Sequence, residues 1–223
     1  MSGFQAWLRQ LQFDGVWQTV LLVLASLLCI TFHELCHGLV AFWLGDRTAK
    51  DQGRLTLNPL RHVDLSGLIM MALFRFGWAK PVPVNMRNFR NPKAGMALPA
   101  LAGPAANVLL ALAALAACFG IWTLSGRSTA AIWSVLMLFF NYVAVISTGL
   151  AVFNLFPIPP LDGSKVLFAL LPDRAYVYLM RYERYGMFLL MALLMLGVID
   201  RPLSVMRDGL LHALIAVASL PFR

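Results

Sequence analysis

Long apolar runs alternate with short polar connections along this chain. The first run extends from about Val16 to Leu44. Others cover Met96 to Leu124, Ala131 to Phe156 and, more briefly, Tyr185 to Ile199. A helix rises 1.5 Å per residue, so about 20 apolar residues cross a ~30 Å hydrocarbon core. The first run exceeds that and must tilt or protrude. The run at 185–199 is a marginal span, and Gly209 to Leu220 is too short to assign. Ser2 to Phe13 carries Trp7, Leu8, Leu11 and Phe13, and reads as a short interfacial helix.

A mixed region, Gly45 to Asn91, separates the first two runs. Within it, "GRLTLNPL" (53–60) and "GWAKPVPVN" (77–85) are short, β-leaning and edged by Gly, Pro and Asn. That pattern predicts strands or a hairpin. The intervening "LSGLIMMALF" is apolar but too short to span comfortably, so it reads as re-entrant or packed on the bundle. The expected fold is therefore an all-α polytopic membrane protein, with four to six transmembrane helices and a small membrane-associated β region. No internal repeat is visible. One domain is expected over 1–223, with its core at about 16–171 and C-terminal helices at 172–223.

Composition agrees. Of 223 residues, 60% are hydrophobic and 13% charged, with a mean hydropathy of +0.75. A soluble domain is nearer one quarter charged. The net charge of +8 belongs to topology rather than to nucleic-acid binding, because no Lys/Arg tract with interleaved aromatics is present. Eight basic residues fall in Gly45–Asn91 and four in Pro157–Arg184, whereas 125–128 carries only Arg127. The positive-inside rule puts the first two regions in the cytoplasm and the N-terminus outside. The run from Val16 is too long for a signal peptide's apolar core and reads as a retained helix. Cys29, Cys36 and Cys118 lie in apolar runs without a C-x-x-C pair, as small buried hydrophobes would.

The first run contains "HELCH" at 33–37. A charged residue at the centre of a membrane helix costs roughly 2.5–3.5 kcal/mol, so three ionisable groups in five residues need a compensating partner. His33 and His37 share one helical face, one turn apart, and two such imidazoles can hold one zinc ion. Glu34 is placed to act as general base on a metal-bound water. Phe32 and Cys36 read as packing positions. A catalytic zinc takes three protein ligands, and the soluble H-E-x-x-H-x-x-G-x-x-H continuation fails, since Val40 and Trp43 stand where Gly and His would be. Glu183, between Arg181 and Arg184, reads as a surface ion pair. His62 and His212 read as loop, core or interfacial residues. Asp162 follows a proline cluster where irregular backbone at membrane depth must line protein or a wet cavity. Spacing leaves two readings of it open, metal ligand or helix N-cap.

Taken together, "HELCH" at 33–37, "GPAAN" at 103–107 and "NLFPIPPLDG" at 154–163 resemble the site-2 protease family of intramembrane zinc metalloproteases. "NPL" and "GWAKPVPVN" resemble its small bacterial members, and the likeness spans roughly Thr31 to Leu171. The resemblance implies one Zn2+ held by His33, His37 and Asp162, with Glu34 as catalytic base. It implies that Asn154 positions substrate or oxyanion, and that Gly103 and Asn107 belong to a helix supporting the site. It also implies a membrane-protein substrate with a transmembrane helix, cleaved in the bacterial plasma membrane, and the charge bias places the site toward the cytoplasm. PDZ or CBS modules, frequent in the family, are not expected here. Two other classes bury histidines in a bilayer. A metal transporter would line a path across it with several polar groups, often in repeats, and a non-catalytic zinc-binding protein would have no use for Glu34.

Overall fold

The computed structural model of the protein describes residues 15–64, 80–126 and 130–222, and it is mostly helical. Three helices are long and apolar enough to cross a membrane: α1 (Gly15–Trp43), α3 (Pro92–Leu124) and α4 (Ala131–Asn154). At 1.5 Å per residue, the 29 residues of α1 reach about 44 Å. The four-residue α2 (Thr48–Asp51) follows α1. On the C-terminal side come α5 (Asp162–Ala169), α6 (Asp173–Tyr182), α7 (Gly186–Met195) and α8 (Asp200–Ala218). The stretch Asp173–Met195 bends by 87° into Asp200–Ala218, and this pair makes a fourth span only if counted as one broken crossing. The described residues thus give three or four spans, at or below the bottom of the expected four to six. "LSGLIMMALF" and Ser2–Phe13 lie outside the described residues.

The ends of the helices follow local chemistry. Asn91 caps α3, its side chain accepting from the Ala94 N–H at 3.3 Å, with Pro92 at the first helical position. At the end of α1 the Asp46 N–H reaches back to the Ala41 carbonyl at 2.9 Å. Gly45 makes that reversal at φ +107°, a conformation costly for any residue with a Cβ. Pro99 and Pro104 sit inside α3. Membrane helices tolerate this where neighbouring groups use the freed backbone.

The main core lies where α1, α3, α4 and α8 meet. It includes Ala25 and Cys29 from α1, Ala111, Ala114 and Cys118 from α3, Met137 and Ala144 from α4, and Leu214 and Ala218 from α8. Small residues dominate because, in lipid, helices gain from close backbone approach rather than from leaving water. Polar pairs join the same helices: the Ser147 hydroxyl donates to Cys29 Sγ at 3.1 Å, and that thiol faces the Val143 carbonyl at 3.6 Å.

The small β region is not found among the described residues, which leave out 77–79 of its second stretch. Apart from an isolated bridge at Val63, no strand occurs among the described residues. In 53–60, Asn58 and Pro59 open a 3-10 turn at Pro59–Arg61, with the Asn58 side chain accepting from the Leu60 N–H. In 80–85, Pro81 and Pro83 remove two donors a ladder would need. The Lys80, Val82 and Asn85 N–H groups turn instead to the His62 carbonyl, the Glu34 carboxylate and the Asp46 carboxylate.

Candidate active site

His33 and His37 both point from α1 toward α3 and α5, as their four-residue spacing requires. Asp162 stands at the start of α5. The N-cap position belongs to Leu161 and makes no side-chain cap, so of the two readings of Asp162 the cap is the one that fails. Its carboxylate is turned to the histidines: Oδ2 lies 3.2 Å from His33 Nε2 and 3.1 Å from His37 Nε2. The two Nε2 atoms are 2.9 Å apart. Burial raises the Asp162 carboxyl, but the two imidazoles and Lys165 outweigh it and hold the group well below the usual carboxylate range.

These three atoms form a nearly equilateral triangle. Bonds of ~2.0–2.1 Å in a tetrahedral zinc site set ligand atoms about 3.3 Å apart, so the triangle needs to open by only a few tenths of an ångström. His33, His37 and Asp162 are a group that can bind a metal ion. The groups behind them fit the same use. The Pro99 carbonyl can only accept, so His37 Nδ1, 2.6 Å away, donates to it, leaving the Nε2 lone pair for a metal. His33 Nδ1 lies 3.2 Å from the Asn107 amide nitrogen, while the buried Asn107 Oδ1 has no partner. Turning this amide by 180° lets Oδ1 accept from Nδ1–H, freeing His33 Nε2 as well. The turn breaks no hydrogen bond of Oδ1, which has none to lose.

Gly103 explains how α3 comes so close. A β-carbon there would stand 2.5 Å from His37 Cε1 and Nε2 and 2.7 Å from His33 Cε1. Gly163 acts similarly for α5, since a β-carbon would run into the backbone of Leu155 and Phe156 at the end of α4. The proline-rich turn 157–160 reverses the chain between α4 and α5, which brings the first turn of α5 to the histidines.

A cavity of about 530 Å³ opens onto the triad, lined by His33, Glu34, His37, Asn154, Asp162 and Lys165 among more numerous apolar residues. Glu34 Oε2 accepts from the Val82 N–H at 3.0 Å. Asn154 reaches the cavity from the last residue of α4, with its amide donating to the Leu150 carbonyl at 3.0 Å. Gly103 and Asn107 are buried on the face of α3 turned to the histidines. His62 and His212 stay out of the group: His62 is buried and donates through Nε2 to the Thr56 carbonyl, and His212 is exposed on α8.

Two residues near the site went unnoticed in the sequence: Asp46 and Arg54. Asp46 is wholly buried and accepts from Thr48, the Asn85 N–H and the Asn88 amide, each of the last two at 2.7 Å. Burial pushes its carboxyl up, yet these hydrogen bonds outweigh it and hold it below its ordinary value. Arg54 is buried and donates to the Lys80 carbonyl at 2.7 Å and the Pro81 carbonyl at 3.2 Å. The signal that could have found them is two charged residues flanking a helix end in a chain with few charges to spare.

Comparison with known proteins bears on this geometry. The description Peptidase family M50 matches residues 115–197, a stretch that contains Asp162. YwhC of Bacillus subtilis, which is named a zinc metalloprotease, is 38% identical over 88% of this chain and 91% of its own length. Rip2 of Mycolicibacterium smegmatis, likewise named, is 30% identical over 90% of this chain and 77% of its own. Rip2 of Mycobacterium tuberculosis is 32% identical over 75% of this chain and 64% of its own. No solved structure matches the chain. Similarity at this level runs through nearly the whole length of YwhC, and the chain belongs to peptidase family M50, the site-2 protease family, as a zinc metalloprotease of the membrane.

Proposed function

We propose that the protein is an intramembrane endopeptidase, hydrolysing peptide bonds in or near transmembrane segments of membrane-protein substrates. The observation that carries this reading is the convergence of His33, His37 and Asp162, beside Glu34, among helices of membrane length. His33, His37 and Asp162 would hold the ion, and Glu34 would be the base. When bound, zinc supplies a Lewis acid that makes water acidic near neutral pH and polarises a carbonyl. Glu34 takes the proton from the attacking water and delivers it to the departing amine. Asn154 lines the same cavity and can orient the scissile carbonyl. Gly103 and Asn107 support the two histidines from behind.

The apolar lining suits an unwound stretch of hydrophobic substrate. A helix hides its peptide bonds in its own hydrogen bonds, so the substrate must open locally before cleavage. The segment 80–85 lines the cavity through Pro81, Val82 and Val84, and gives such a stretch an apolar wall to lie against. The basic residues of 45–91 and 157–184 support a cytoplasmic site in a bacterial plasma membrane.

The deciding experiment compares membrane proteomes of cells carrying the wild type and Glu34→Gln. Specific membrane proteins should accumulate uncut in the variant, while the purified variant keeps its zinc. Equal cleavage in both strains would defeat this reading, and metal flux through the protein in liposomes would favour a transporter instead.

A further inference from the structure

The segment Lys80–Asn88 crosses α1 as a strap fastened at two ends. At one end the Lys80 N–H donates to the His62 carbonyl at 2.9 Å, and Arg54 holds the carbonyls of Lys80 and Pro81. At the other, the buried Asp46 carboxylate takes the Asn85 N–H and the Asn88 amide. Between them, the Val82 side chain lies over Gly38, where a β-carbon would stand 3.1 Å from Val82 Cγ1. The Val82 N–H points at Glu34 Oε2.

Arg54 is an expensive residue to keep here. It is 6% exposed, its Nε has no partner, and among the described residues no carboxylate pairs with it. A buried guanidinium answered only by carbonyl dipoles loses more hydration than it regains. Proline explains what it does. Pro81 and Pro83 have no N–H, so the strap has few donors of its own with which to hold itself down. One guanidinium nitrogen, Arg54 Nη2, donates to two consecutive carbonyls from outside instead.

We propose that Arg54 is a positioning residue for the general base: it clamps the strap so that the Val82 N–H fixes one oxygen of Glu34 and leaves the other free to take a proton. This rests on the reading of Glu34 as base. A carboxylate on a flexible side chain has several rotamers, and a backbone donor selects one of them. Misplacing a reacting group by about 1 Å can cost roughly a hundredfold in rate.

Amide hydrogen exchange on the full chain in nanodiscs tests this. The prolines carry no amide hydrogen, so 80–85 reports only Lys80, Val82, Val84 and Asn85. Val82 should be protected in the wild type. Glu34→Ala and Arg54→Met should each speed its exchange about tenfold or more, and Arg54→Lys should restore it to within about threefold. Turnover is the second reading, with a quenched-fluorescence peptide bearing an apolar helix of about 20 residues. Arg54→Met should lower kcat about ten- to hundredfold, with KM and zinc affinity within about twofold. In a variant with an ester in place of the Val82 amide, Arg54→Met should lower kcat no further. Unchanged Val82 exchange in Arg54→Met, losses that multiply in the double variant, or an equal loss of zinc would each overturn the assignment. Cleavage by Glu34→Gln would instead remove Glu34 as the base, while leaving the exchange result standing.

Discussion

At the scale of single residues, the site depends as much on an absent atom as on present ones. Gly103 lets α3 lie against the reactive edges of His33 and His37, and any side chain there occupies the space of the ligating atoms. Gly103→Ala should therefore lower zinc affinity about ten- to hundredfold, the range for disturbing the support of a metal ligand. Competition with a chromophoric chelator measures it, and unchanged affinity would mean that α3 does not press on the ligands. Asn107 works on the same face through its amide, and His37 through the Pro99 carbonyl. Each contact selects which imidazole nitrogen is left to bind, which a list of ligands alone would not reveal.

At the scale of elements, α5 is an aiming device. It is short, and its first residue is the one that matters. Its start is pressed against the end of α4, with Gly163 on the backbone of Leu155 and Phe156. Gly163→Ala should push the two helices apart and carry Asp162 away from the histidines. Zinc affinity should fall at least about tenfold while far-UV circular dichroism stays unchanged. A fully loaded Gly163→Ala protein would show that α5 can move without taking the ligand with it. The strap at 80–88 is the other element defined by its contacts: it has no ladder, and its shape comes from Arg54, Asp46 and Glu34.

At the scale of the whole molecule, folding and metal binding are separable. The core at α1, α3, α4 and α8 is built from Ala25, Cys29, Ala111, Ala114 and Ala144, none of which belongs to the site. The described portions of the chain therefore hold their helices through packing rather than through zinc. Stripping the metal with a strong chelator should abolish cleavage yet leave helix content within about a tenth of its starting value, and added zinc should restore activity. Loss of helical signal on chelation would contradict that division.

Much of this was legible in the chain. The long helices follow from unbroken apolar runs, and α1 and α3 begin and end within a few residues of the expected bounds, because length and apolarity are local properties. That His33 and His37 share one face was equally plain, since helical spacing alone puts them there. The strands were misjudged. Val, Leu and Thr at 53–60 and 80–85 suit a sheet, but Pro59, Pro81 and Pro83 withhold donors, and the Lys80, Val82 and Asn85 N–H groups go to tertiary acceptors. The fourth span was ambiguous because a sharp bend between α7 and α8 leaves no mark in a hydropathy profile.

What the sequence determined by itself was the class of molecule and the first half of its metal centre, because both rest on residues a few positions apart. Tertiary structure decided where the Asp162 carboxylate points, what a side chain at residue 103 would meet, and how a buried arginine comes to hold the segment whose Val82 N–H reaches Glu34. Those depend on which helix ends meet and at what depth, and such contacts join segments far apart in the chain that no local spacing encodes.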